Sequence, residues 1–449
     1  MISFKIQFWI ICFLFVFYLF NFFILQKSKS ILNIGFWLVF TTFIYSVYPI
    51  INYYFGGFEF GILSDNRLAN SNISENSIST FYTYYLVYFS TLTLSIILLK
   101  FKEIKNSTKI IIPKDHINYF LIAYFFFQFS LFLIYKFYNI DFSRSQHNEE
   151  SIEANISAFS GAPYFIVQIA SKINGVLSLC KISILIYLTL NFQKYKKIIF
   201  FFLIAEVASL FINLGSRTSL FNLLFVFYLV YQQFVYKIKL KKILIYFFAA
   251  FIFFNILGYI RSISSDDVNQ LDSNSIITIG LTVNNEFQAL FATGYEMYGL
   301  VKSGINFPTV LYFNDIITIL PPSQVLPFQK IEASEWYLVH QGYKDSGTGF
   351  MWGVISQSLI GFGYFELVIR ALFLAFLAKY FHNKIRVNSI HFYQLLFYVF
   401  ICLKAYYTFR NTTLGFLPFV VYEFIVFLFI IFIIELLLKQ KVKLNQYKI

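Results

Sequence analysis

The chain has 449 residues, of which 58% are hydrophobic, 22% aromatic and only 13% charged, with a net charge of +13. Water-soluble domains carry about 25% charged residues, so too few are present to cover a solvated surface; disordered, collagen-like and disulfide-scaffold classes are excluded with the soluble ones. In so apolar a chain the positive balance matters through its placement around a bilayer, and nucleic acid is not an expected partner.

About 20 apolar residues cross a bilayer core. By that measure about eleven transmembrane helices are predicted, at 6–25, 31–51, 80–99, 117–137, 166–190, 198–214, 219–236, 243–260, 362–381, 390–408 and 414–438. The first is too long and too rich in phenylalanine for a removed signal peptide, and no small-residue cleavage site follows it. No repeat, low-complexity tract or linker divides the chain, so the expectation is one all-α polytopic domain over 1–449. Cys12, Cys180 and Cys402 all lie in apolar runs and read as small core residues.

Charge alternates from link to link. Basic links carry Lys27 and Lys29; Lys100, Lys102, Lys105, Lys109 and Lys114; Lys194, Lys196 and Lys197; Lys237, Lys239, Lys241 and Lys242; Lys379, Lys384 and Arg386; and Lys439, Lys441, Lys443 and Lys448. These are 21 bases against two acids, Glu103 and Asp115. The positive-inside rule puts them in the cytoplasm, with the carboxyl end inside and the amino end outside.

The link from 261 to 350 is far longer than the other outer ones, and a long ordered connection usually carries function. Within it Ile279, Val283, Phe287, Leu290, Phe291 and Tyr298 recur at helical spacing. A second short helix is expected to start at Pro308 and stop before Pro321 and Pro322, and a third over 350–361. These are read as helices at the outer interface, or dipping in without crossing.

Seven of the 35 bases are arginine. Five fall in outer links, against the trend of lysine: Arg67, Arg144, Arg217, Arg261 and Arg410. Guanidinium offers a planar fork for phosphate that ammonium lacks. Arg217, Arg261 and Arg410 sit at span ends, the depth of a lipid headgroup, and are the candidates for binding a diphosphate; snorkelling to lipid phosphate is the competing reading. Glu286, on the predicted loop helix, and His340 are candidates for a general base. His147 and His340 are too few and too scattered for a zinc site, and no glycine-rich phosphate loop is present, so neither a metal nor a cofactor is expected. Charges inside spans need partners: Lys181 is matched in depth with Glu206, Lys404 with Glu423, and Glu366 stands one helical turn from Arg370.

Several local features occur in a particular order. They are Gly215-Ser216-Arg217-Thr218 opening a span, Gly258 to Arg261 before the long loop, Pro321-Pro322-Ser323 with Pro327 within it, Gly347-Thr348-Gly349 leading into Ser356-Gln357-Ser358-Leu359-Ile360-Gly361-Phe362-Gly363, and Arg410-Asn411 before the last helix. In this order and architecture the chain resembles the Wzy-type O-antigen and capsular oligosaccharide repeat-unit polymerases. It departs in having Gln357 where members often have an acid. The related O-antigen ligases carry a histidine, a polar residue, nine intervening residues and then a glycine; His340-Gln341 begins similarly, but Met351 stands at the glycine position. The resemblance implies a glycosyltransferase of the bacterial cytoplasmic membrane. Its substrates would be polyprenyl-diphosphate-linked oligosaccharides, and a chain-length regulator protein a further partner. The growing glycan would be transferred to the non-reducing end of a new unit, releasing the diphosphate held by Arg217, Arg261 and Arg410. A ligase, or a lipid-linked oligosaccharide flippase, stands as the alternative; transporters tend to show paired repeats, which are not found.

Overall fold

A computed structural model describes residues 3–26, 30–56, 75–102, 104, 108–112, 116–138, 164–213, 217–236, 286–320, 326–327, 330–341 and 352–446. The predicted span at 243–260 and Arg261 lie outside them. Long helices run over α1 Phe4–Phe20, continued by a π turn Asn21–Leu25, α2 Ile34–Gly56, α3 Glu75–Leu99, α4 His116–Phe137, α5 Tyr164–Leu190, α6 Phe192–Asn213 and α7 Arg217–Phe234. The loop region supplies α8 Glu286–Lys302, a 3-10 turn Thr309–Phe313, α9 Asn314–Ile317, α10 Ala333–His340 and α11 Gly353–Ile360. Then follow α12 Tyr364–Ile385, α13 Phe392–Leu403, α14 Tyr407–Arg410 and a final helix in three parts: α15 Leu417–Phe419, a π turn Val420–Ile425 and α16 Val426–Gln446.

Six of these stretches are long and apolar enough to cross a membrane: Phe4–Leu25, Ile34–Ile51, Glu75–Leu99, His116–Ile134, Lys172–Leu190 and Leu417–Lys439. Their outward faces are apolar too, with Trp9, Phe13, Phe125, Phe126, Phe132 and Phe429 exposed, as expected of surfaces that meet lipid. The protein is a mostly helical membrane protein. Helices outrun the predicted spans at several ends; α6 begins at Phe192, so Lys194, Lys196 and Lys197 sit in its first two turns. Hydropathy marks the apolar window, whereas the backbone hydrogen-bond ladder carries on into polar residues. The span predicted at 390–408 is broken after Leu403, and a separate short turn follows at Tyr407–Arg410.

Described residues that border or belong to four of the lysine-bearing links meet at one end of the bundle. Ile31 donates its backbone N–H to Gln232 Oε1 at 3.1 Å, and Gln233 Nε2 donates to the Ile104 carbonyl at 3.1 Å. Strand β1 Lys109–Ile111 pairs in parallel with β2 Ser389–His391, Ile110 opposite Ile390. His382 joins the same layer, with Nε2 against the Lys102 carbonyl and Nδ1 against Tyr398 Oη, each at 2.6 Å. Tyr398 Oη in turn accepts the Ile34 N–H at 3.0 Å. These links are the ones the charge alternation assigns to a single side.

The loop elements pack at the opposite end. The expected loop helix runs over Glu286–Lys302 and buries Leu290, Phe291, Ala292, Thr293 and Met297 against α2, α3 and α11; Ile279 and Val283, predicted to open it, lie outside the described residues. Phe291 meets the ring of Phe81 at 5.0 Å, and Phe287 that of Tyr45 at 4.7 Å. The second expected helix is a 3-10 turn followed by the four residues of α9, with Pro308 as the N-cap of the turn. Gly353–Ile360 is buried at all eight positions, so it is inserted among other helices and does not lie on a surface. Gly353 opens it with a φ of +77°, a backbone conformation that favours glycine.

Candidate functional site

Charged side chains in the half of the bundle that holds the loop elements form two networks. The first is centred on Arg370, in the second turn of α12, whose side chain is 13% exposed. Its Nε donates to Glu366 Oε1 at 2.6 Å, the predicted i,i+4 pair. Its Nη1 donates to Asp315 Oδ2 at 2.5 Å and to Thr413 Oγ1 at 2.9 Å. The remaining carboxylate oxygens are also engaged. Asp315 Oδ1 accepts the Leu414 N–H at 3.2 Å, and Glu366 Oε2 the Phe362 N–H at 2.9 Å. One guanidinium therefore ties the loop turn at Asp315, the start of α12 and the turn before the last helix into one unit. Gly361 is required by this arrangement: a Cβ there would stand 1.8 Å from Glu366 Oε2.

Beside this unit the loop is held by further hydrogen bonds. Gln357, 0% exposed, accepts from Trp352 Nε1 and donates to the Leu311 carbonyl, both at 2.9 Å. Asn314 Oδ1 accepts the Ala333 N–H at 3.0 Å, and Tyr337 donates to Glu296. Gln357 therefore ties Trp352 to the loop backbone at Leu311.

The second network gathers basic and aromatic side chains around Glu423. Lys404 Nζ stands 3.9 Å from Glu423 Oε2, the predicted pair at the limit of ion-pair distance. The same ammonium lies 3.9 Å from the centre of the Phe419 ring and 5.3 Å from that of Tyr407. Arg410 lies 5.5 Å from the Tyr407 ring and 6.0 Å from Tyr406. Lys172, on α5, lies 5.2 Å from the Tyr422 ring, and Tyr422 Oη donates to the Ile319 carbonyl at 2.7 Å. Cations over aromatic faces are attracted by the ring quadrupole, by about 0.5–2 kcal/mol each.

Of the residues singled out from sequence, Arg410 is half-buried in this second network, and His340 is exposed in the last turn of α10, stacked on Trp336 with ring centres 4.8 Å apart. Glu286 and Arg217 are the first residues of α8 and α7; their side chains, and all of Arg261, lie outside the described residues. Lys181 Nζ and Glu206 Oε1 pair at 2.8 Å between α5 and α6, as depth matching predicted. Asp315 and Lys172 were missed. Asp315 belongs to no periodic stretch, and its partner lies in a distant helix. Lys172 sits in a span near Gly175, the one signal of a close approach there. Among the described residues, no group of three or more His, Cys, Asp or Glu side chains is placed to hold a metal ion.

No family model, curated protein or solved structure matches the chain. Its class therefore rests on its own helices.

Proposed function

We propose that the protein is a glycosyltransferase that polymerises polyprenyl-diphosphate-linked oligosaccharide repeat units at the outer face of a bacterial cytoplasmic membrane, making an O-antigen or capsular polysaccharide. In this reading 243–260 is a further span and the chain makes about eleven crossings, amino end outside and carboxyl end in the cytoplasm. The growing glycan moves from its diphosphate to the non-reducing sugar of a new lipid-linked unit. The glycosyl diphosphate already stores the bond energy, so the protein has to align two lipid-borne substrates and stabilise charge on the departing diphosphate.

One observation carries this reading. Arg410 rests on Tyr406 and Tyr407 in the stretch that receives the long loop through the Asp315 contact to Leu414, at the end of the bundle away from the lysine-bearing links. Guanidinium beside half-buried tyrosines suits a diphosphate joined to a sugar, because the fork takes phosphate oxygens and aromatic faces take the apolar faces of sugar rings. Arg217 and Arg261 are proposed to complete the diphosphate site, and a chain-length regulator is proposed as a protein partner.

The length ladder of surface polysaccharide in a deletion strain tests the proposal. Loss of a polymerase leaves single repeat units at the surface; absence of single units supports a flippase and defeats the polymerase reading. Arg217→Lys and Arg261→Lys keep charge and remove the fork, so each is expected to shorten the polymer, and undiminished length excludes the diphosphate role of that residue.

A further inference from the structure

Glu423 lies within the π turn Val420–Ile425. Such turns displace side chains from the regular helical register and recur at functional sites. The Glu423 side chain is 13% exposed, yet it accepts no hydrogen bond from a described residue, and Lys404 at 3.9 Å is too far to donate one. Carboxylates this deep ordinarily accept hydrogen bonds, because a desolvated charge without them is costly.

The surroundings are built to keep the carboxylate where it is. On α5, Gly175 faces it so closely that a Cβ would stand 2.6 Å from the carboxyl carbon; any larger residue would push the acid out of place. Lys172 flanks it from α5, and Lys404 from the end of α13. Lys404 and Arg410 share the Tyr407 ring, whose centre lies 4.3 Å from that of Phe419. The acid and the arginine proposed for the diphosphate are thus arranged about one aromatic surface, and Lys172 is exposed beside it.

Among the described residues, four other carboxylates of the bundle are committed. Asp315 and Glu366 are held by Arg370 and backbone N–H groups, Glu206 by Lys181 and Glu296 by Tyr337. A carboxylate already bonded through both oxygens is a weak proton acceptor.

Resting on the polymerase reading, we infer that Glu423 is the catalytic base, set by Lys172, Lys404 and Gly175 to receive the proton of the acceptor sugar. The acceptor hydroxyl oxygen forms its bond to the anomeric carbon of the donor glycan as the bond from that carbon to the diphosphate oxygen breaks. The electron pair of the broken bond leaves with the polyprenyl diphosphate, and the hydroxyl proton ends on a Glu423 oxygen. Lys172 and Lys404 act as positioning residues.

The test uses the full-length protein in proteoliposomes with a defined polyprenyl-diphosphate-linked repeat unit, measuring polymer formed and diphosphate released. Glu423→Gln keeps the shape of the side chain and is expected to lower kcat by about 100-fold or more, the usual contribution of a general base, with KM within about threefold because ground-state binding is retained. In Glu423→Ala, added formate is expected to restore the rate by about tenfold, since a small carboxylate can occupy the vacated place and take the proton. Formate rescue is a response that a purely structural role would not produce. Where Glu423→Gln does not fold, Glu423→Asp is read instead, with kcat lowered by about tenfold at unchanged KM. Turnover of Glu423→Gln within threefold of the unaltered protein, or a loss carried by KM with no formate rescue, overturns the assignment while leaving polymerisation intact. If the unaltered protein makes no polymer from the unit, the polymerase reading fails first and the assignment falls with it.

Discussion

The two ends of the bundle solve the problem of polar groups in an apolar protein differently. At the lysine-bearing end, links are fastened mainly by neutral groups and backbone: Gln232 to Ile31, Gln233 to Ile104, His382 to Tyr398 and Lys102, and β1 to β2. At the loop end neutral bonds such as Gln357 to Leu311 and Asn314 to Ala333 are joined by ionic fastening through Asp315, Glu366 and Arg370, and nearby stands Glu423 without a hydrogen bond from a described residue. Neutral hydrogen bonds satisfy both partners and hold a fixed geometry at little desolvation cost. Ionic groups cost more to bury, so their concentration at one end indicates where charge has work to do.

The sharpest break of this comparison is at Arg370. Arg370→Met would leave Asp315 and Glu366 buried without their cation, and removing one partner of a buried pair costs about 3–5 kcal/mol. Thermal unfolding in detergent should show that loss together with release of the loop, read as protease cleavage within the 286–341 stretch. Stability within 1 kcal/mol of the unaltered protein would remove the anchor from the account.

His382 sharpens the other side. It lies just beyond the predicted span 362–381, and burial lowers its pKa from 6.5 to about 4. The unfolded chain therefore takes up the proton first as pH falls. The stability of the neutral form is fully present above pH 6.5 and is lost between pH 6.5 and about 4, by about 3 kcal/mol in all. Unfolding midpoints measured across that window should fall with pH in the unaltered protein. His382→Phe should flatten the contribution of this group, whereas an unchanged slope would assign it elsewhere.

Lys181 and Glu206 give a smaller effect, since both are partly exposed, at 19% and 14%. Lys181→Met is expected to cost about 2 kcal/mol, and the double change Lys181→Met with Glu206→Met to recover most of it. Equal losses in the single and double variants would mean that the pair is not coupled. At the bottom of the scale, the Lys439 and Glu435 pair, with side chains 66% and 26% exposed, is a surface contact, and Lys439→Ala should leave the unfolding midpoint unchanged.

Much of the helical framework was legible because bilayer thickness sets a length scale that hydropathy reports directly. The ion pairs Lys181 with Glu206 and Glu366 with Arg370 followed from depth and from helical spacing, both local rules. Asp315 did not, because its bond to Arg370 joins a short loop turn to a helix with no periodic signal linking them. The kink after Leu403 and the π turn at Val420–Ile425 escaped for a related reason: composition there is uniformly apolar and aromatic, while the backbone departs from the regular ladder. Lys172 read as one base near the start of a span, and only the fold sets it beside Tyr422 and Glu423.

The clasp between Lys109–Ile111 and Ser389–His391 has a bearing on biogenesis. The first strand leaves the ribosome long before its mate, so its edge must wait, unpaired, while most of the remaining helices are inserted. Closure of that seam is thus among the last steps of assembly, and truncations upstream of Ser389 should leave a bundle whose early helices are inserted but not fastened together.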